Sequence, residues 1–208
     1  MSPTGLRERK KQQTRQAIHE AAMRLFAERG FEATTIADIA AAADIAPRTF
    51  FAYFPSKEEA VFPKFELAIE EFSQRLSERP PGTTAIEVLR DWLHTAAKEH
   101  MPDPEMMKLE ARLRRDSPTV AACDLRHRDQ FEKRLAEAVA EDLDEQPGAL
   151  RPRIVAGAAV AALQAFEDAG LEVIDKGGEA ATRLFDDPAA FLEDGFRFLE
   201  AGLAALRD

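Results

Sequence analysis

Between Thr34 and Lys57 the chain reads Thr-Thr-Ile-Ala-Asp-Ile-Ala-Ala-Ala-Ala-Asp-Ile-Ala-Pro-Arg-Thr-Phe-Phe-Ala-Tyr-Phe-Pro-Ser-Lys, and few folds accept that order. Ile36, Ile39, Ala40 and Ala43 fall at i, i+3, i+4 and i+7, one apolar helical stripe. Thr34 or Thr35 is placed to cap its N-terminus. Asp44 comes next, one of the few non-glycine residues that tolerate a left-handed turn conformation. Pro47 then suits the first turn of a second helix. There Phe50 and Phe54, four apart, must face inward, which turns Arg48, Phe51 and Ala52 outward and leaves Thr49 and Tyr53 on the flanks. Pro55-Ser56 closes the unit, and Ser56 can cap a third helix. Two readings fit the pattern: a helix-turn-helix with a free face for a DNA groove, or an ordinary helical hairpin.

The residues themselves go further than the pattern. The order Thr-Thr-Ile-x-x-Ile-Ala-x-x-Ala-x-Ile-x-x-x-Thr-Phe-Phe-x-Tyr-Phe-x-x-Lys resembles the signature of TetR-family (tetracycline-repressor-like) transcriptional regulators, and so does its place behind one amphipathic N-terminal helix. Downstream of it, only length and helical pattern agree with the family. The resemblance implies an all-α homodimer of about nine helices. Residues 1–55 would form the helix-turn-helix DNA-binding domain and residues 56–208 a helical ligand-binding and dimerisation domain, joined by a connecting helix over 56–78. It implies DNA contacts from Thr35, Ala46, Pro47, Arg48, Thr49, Phe51, Ala52, Tyr53 and Lys57, with Tyr53 and Lys57 gripping phosphates. Arg48 is placed for a bidentate contact to guanine. Two positions depart from the family. Phe51 stands where tyrosine is frequent, so a hydroxyl for phosphate is lost. Ala52 stands where a longer polar residue is common, so direct readout is reduced. Both keep an apolar surface for thymine methyls.

A net charge of −10 opposes DNA binding only if it is evenly spread. Residues 1–60 hold nine basic against eight acidic side chains, a net +1, so −11 lies beyond them; residues 1–16 alone are +4. A local basic surface is what duplex affinity needs, and an acidic remainder limits non-specific adhesion. With 45 % hydrophobic residues in 208, the chain has material for a sizeable core. The single cysteine, Cys123, cannot form an internal disulfide, and no apolar signal region opens the chain. The apolar run Ile154 to Phe166, broken by Gln164, is too short and alanine-rich to span a bilayer. A cytoplasmic protein is expected, with no membrane partner.

Taken in order, Met1 to about Arg9 reads as a disordered arm, and Lys10–Arg29 as a helix whose inner face is Ile18, Ala22, Leu25 and Phe26. Gly30 fits its C-cap. Phe26, Phe31, Ile36, Ile39, Ile45, Phe50 and Phe54 would make a small three-helix core. The connecting helix, from Ser56 to Glu78, contains Pro63, which kinks it or delays its start. Pro80-Pro81-Gly82 is a hard stop and the expected domain boundary. Helices follow over Thr84–His100, Glu105–Arg115, Pro118–Leu143, Leu150–Val173 and Pro188–Leu206, with the segment before Asp187 ambiguous.

In the second half, Trp92, Met106, Met107, Phe131, Leu163 and Phe166 are the candidates for an adaptable apolar pocket for a small effector, against the plainer reading of core. Ala158, Ala162, Ala165, Gly195, Leu199 and Gly202 are the candidates for a close-packed dimer seam, which the resemblance favours over the core of a monomer. For catalysis the sequence offers no motif: neither a His-Glu-x-x-His zinc site nor a Gly-rich phosphate loop. Cys123 and His127, one turn apart, suit a metal pair or a reactive thiol less well than a buried cysteine beside a surface histidine. No metal and no cofactor are expected. The reading that follows is a DNA-binding regulator, a repressor released by a small molecule. The alternative is an all-helical carrier or enzyme with a vestigial helix-turn-helix.

Overall fold

The structure is a computed structural model that describes residues 3–99, 103–179 and 187–207. Among these residues every regular element is helical: α1 Pro3–Arg29, α2 Ile36–Ala42, α3 Pro47–Phe50, a single 3-10 turn Glu58–Val61, α4 Phe65–Ser77, α5 Ala85–Glu99, α6 Pro104–Asp116, α7 Pro118–Asp142, α8 Leu150–Lys176 and α9 Pro188–Arg207. Met101–Pro102 and most of the ambiguous stretch before Asp187 lie outside the described residues.

Two expectations about the first third of the chain are corrected. The disordered arm is instead the start of α1, which begins at Pro3. Proline suits the first helical position, and the Arg-Glu-Arg-Lys-Lys-Gln-Gln run that follows consists of strong helix formers. The connecting helix does not begin at Ser56. A 3-10 turn ends at Val61, the backbone breaks through Phe62–Lys64, and α4 starts at Phe65. Pro63 causes this, because it lacks the N–H a continuous helix would use and excludes helical geometry from the residue before it.

The chain divides into two compact units, one of residues up to Glu66 together with Glu105–Leu125, the other of Leu67–Pro104 and Arg126–Asp208. In the first, Ile18, Met23, Phe26, Phe31, Ile39, Phe50, Phe54 and Val61 are buried together with Leu113 and Val120 from α6 and α7. His19, also buried, sets Nδ1 2.9 Å from the carbonyl of Ala60, and so acts as the donor that holds the 3-10 turn against α1. Burial lowers the affinity of its ring for a proton, outweighing the opposing pull of that carbonyl. The folded pKa therefore lies below the unfolded value. His19 contributes fully above the unfolded value of about 6.5, and that stability is lost as pH falls below it. Thermal melts between pH 7.5 and 5.5 should show wild type losing more stability than His19→Asn, whose amide keeps the donor without titrating. Parallel curves would exclude the ring as the cause.

In the second unit Phe72 and Leu76 of α4, Ile86 and Leu89 of α5, Leu135 and Val139 of α7, Val155 and Ala159 of α8, and Phe196, Leu199 and Leu203 of α9 form one core. Pro80–Gly82 stops α4 as expected but is a loop inside this unit and not a boundary between units. Asp142 holds it there. One carboxylate oxygen accepts from Ala85 N at 2.7 Å and the other from Arg79 at 3.2 Å. Long-range ties of this kind leave no trace in local composition.

Candidate nucleic-acid interface

The helix-turn-helix is built from local signals. Thr35 is the N-cap of α2, its Oγ1 accepting from Asp38 N at 3.1 Å while Asp38 accepts from Thr35 N at 2.9 Å. This reciprocal box satisfies two end-of-helix N–H groups. The Thr35 hydroxyl and, next, the Thr35 N–H donate to the Asp38 carboxylate and hold that carboxyl below its usual range. Asp44 takes the left-handed conformation, φ +54°, and Ile45 N closes the turn on Ala40 O at 2.9 Å. Pro47 opens α3, and helical bonding continues as turns through Phe54, whose N–H reaches Phe50 O at 3.0 Å. Phe50 and Phe54 are fully buried. Ala46, Pro47, Arg48, Phe51 and Ala52 are consequently exposed, with Thr49 and Tyr53 half-buried on the flanks. The outward face is the one the phenylalanine spacing predicts.

Two cations have roles that spacing does not predict. Arg15, on α1, donates from Nε to Pro63 O and from Nη1 to Tyr53 O, each at 2.7 Å, pairs through Nη2 with Glu66 at 3.1 Å, and lies 4.4 Å over the Phe54 ring. One planar guanidinium thus ties the end of the reading segment to the start of α4, a fork that lysine could not reproduce. Extending the Ile18–Ala22 stripe back one turn places Arg15 on it, and a charge on an apolar stripe is the signal available in the sequence. Lys57 is the other, and its contacts in the structure lie within the chain. Its Nζ donates to Phe31 O at 2.8 Å and Thr34 O at 3.1 Å and sits 4.0 Å from the centre of the Phe31 ring. Two of its three donors are spent on carbonyls of the α1–α2 loop, which makes it a clamp on that loop.

The residues predicted for the effector pocket fall in both units. Trp92 and Phe131 come together on Phe72, with ring centroids 5.0 Å from Phe72 in both cases. Met106 packs in the other unit, against the cluster containing Phe26 and Phe50. Met107 is half-buried on α6, again in the N-terminal unit, and Leu163 is half-buried on α8. Phe166 fills the space beside Gly195: a Cβ there would stand 2.3 Å from its Cζ. The seam residues divide as well. Gly195 owes its lack of a side chain to that ring, and Leu199 is buried in its own unit, so both are corrected to packing within the chain. Ala162 packs on the core while half-buried, as does Ala158. Ala165 and Gly202 are exposed on α8 and α9, as are Ile154 and Phe198, at 55 % and 70 %. His127 is corrected too: it is buried, as Cys123 is, because both extend the inward stripe of Val120 along α7.

Comparison with known proteins places this geometry. Residues 18–61 match the family model for bacterial regulatory proteins, tetR family, and residues 83–204 match the model for the MftR C-terminal domain. The HTH-type transcriptional regulator TcmR of Streptomyces glaucescens is 33% identical over 162 residues, 73% of this chain and 70% of its own length. The chain belongs to the tetR family of bacterial regulatory proteins. It is a DNA-binding transcriptional regulator. The fold is that of solved TetR-family regulators. FadR of Thermus thermophilus, in complex with lauroyl-CoA, superposes with a TM-score of 0.54 at 24% identity, over 90% of this chain and 94% of that one. FadR of Bacillus subtilis, in complex with stearoyl-CoA, gives 0.58 at 18%, over 90% and 98%. In this TetR-family regulator α3 is the second helix of the helix-turn-helix. Helix α8, 27 residues long, is by length and composition sufficient to cross a membrane, contrary to the shorter run read from sequence. Its Val155, Ala156 and Ala159 side packs into the core of the regulator.

Proposed function

We propose that this regulator is a cytoplasmic repressor that binds an inverted-repeat operator as a homodimer and leaves it when a small apolar effector binds the second unit. The observation that carries the reading is the α3 face: Arg48, Phe51 and Ala52 exposed over a fully buried Phe50 and Phe54. A second copy of the chain is supported by the outer side of α8 and α9, where Ile154, Ala165, Phe198 and Gly202 leave an apolar surface uncovered. An apolar effector is supported by the Phe72–Trp92–Phe131 stack, and by the acyl-CoA bound in the two FadR structures. Such a ligand can release DNA only by binding the DNA-free arrangement more tightly. The carrier or enzyme reading explains none of the α3 face.

Binding to duplex DNA from the gene's own upstream region, measured over a range of salt, tests the proposal. Arg48→Ala should weaken specific binding by ~1–3 kcal/mol and flatten preference at one base position, while binding to random duplex changes little. Lys57→Ala should act differently from a lost phosphate contact. It should lower the melting temperature and leave the salt slope of the folded protein unchanged, since each phosphate contact contributes a slope of about 0.9. Equal losses on specific and random DNA for Arg48→Ala would remove it from the reading role.

A further inference from the structure

Phe51 is 57 % exposed on the outward face of α3, a bare aromatic ring held in water. Its orientation is set by the buried Phe50 ring, which it meets edge-on at 5.6 Å and 84°. Arg48, three residues earlier, and Ala52, the next residue, are exposed on the same side. Phe51 has neither donor nor acceptor, so laid against phosphates it would strip water from anionic oxygens and return no hydrogen bond. The base edges of the major groove present one apolar feature, the C5-methyl group of thymine. We propose that Phe51 is a specificity-determining residue that reads a thymine methyl beside the base addressed by Arg48. Three residues of helix advance about 4.5 Å, against 3.4 Å between base pairs, which puts that thymine one or two pairs from the Arg48 contact. The small side chain of Ala52 leaves the flank of the ring open to the methyl. The inference rests on the DNA-reading role of α3 proposed above.

The full-length protein would be used to select duplexes from a random library. Each thymine of an enriched duplex is then replaced in turn by deoxyuridine, which keeps base pairing and removes only the methyl. One position per half-site should weaken wild-type binding about fourfold, the value of one buried methyl group at ~0.8 kcal/mol. Phe51→Ala should make that position indifferent to the methyl, whereas Arg48→Ala should leave the fourfold effect in place. A flat deoxyuridine scan with wild-type protein overturns the proposal without any variant having to fold, and so does a Phe51→Ala protein that retains the penalty. If no duplex is enriched, the DNA-reading role falls and this inference with it. An enriched duplex with a flat scan removes the thymine contact alone.

Discussion

Inserting five base pairs between the two halves of the operator will reduce affinity by at least about 100-fold, toward the non-specific level. Two identical reading helices related by a two-fold axis require two inverted half-sites on one face of the duplex, with centres about 34–36 Å or a multiple apart. Five pairs turn one half-site by about half a turn, given ~10–10.5 pairs per turn, so only one α3 can engage. Specific binding commonly exceeds non-specific binding by 10³-fold or more, which leaves room for a fall of that size. Ten inserted pairs should cost far less, because the facing returns. The spacing series is read by gel shift on the natural operator, located first by footprinting. A five-pair insertion bound as tightly as the parent would rule out the rigid paired-head mechanism, even with the helix-turn-helix intact.

Gly202→Arg will abolish the dimer while leaving the monomer folded. Gly202 is exposed on α9, and a Cβ built there meets nothing within 4 Å in its own chain. Arginine is favoured over glycine in a helix interior by about 1 kcal/mol, so the isolated chain should lose nothing and gain slightly. Against a second copy the effect reverses. A close-packed seam cannot admit the side chain without strain of ~1–3 kcal/mol, and burying its charge unpaired costs more. Light scattering at micromolar concentration should fall from twice the chain's mass to the chain's mass, with the helical circular dichroism signal unchanged and operator binding lost. A variant that stayed dimeric would exclude this side of α9 from the interface. Gly195 is the internal contrast, since Phe166 of the same chain already occupies its open side.

The helix-turn-helix was legible because its determinants lie within a few residues of one another. A threonine cap at Thr34 or Thr35, the left-handed Asp44, Pro47 at the start of α3, and the inward pair Phe50 and Phe54 each follow from spacing or backbone preference alone. Those constraints also settle which way Arg48 and Phe51 point. Roles that depend on partners far along the chain were not legible. Lys57 is a cation in any composition, and only the fold brings it to the carbonyls of Phe31 and Thr34. Arg15 finds Tyr53, Pro63 and Glu66 about forty to fifty residues away. Met106 has the character of a pocket residue, and only the fold brings it against the cluster that contains Phe50. Glycine spacing on α9 is the same for Gly195 and Gly202, and a ring from α8 makes one of them internal. Periodicity determines which face of a helix is apolar; which neighbour covers that face is decided by tertiary packing, where shape and distance select among residues of equal hydrophobicity.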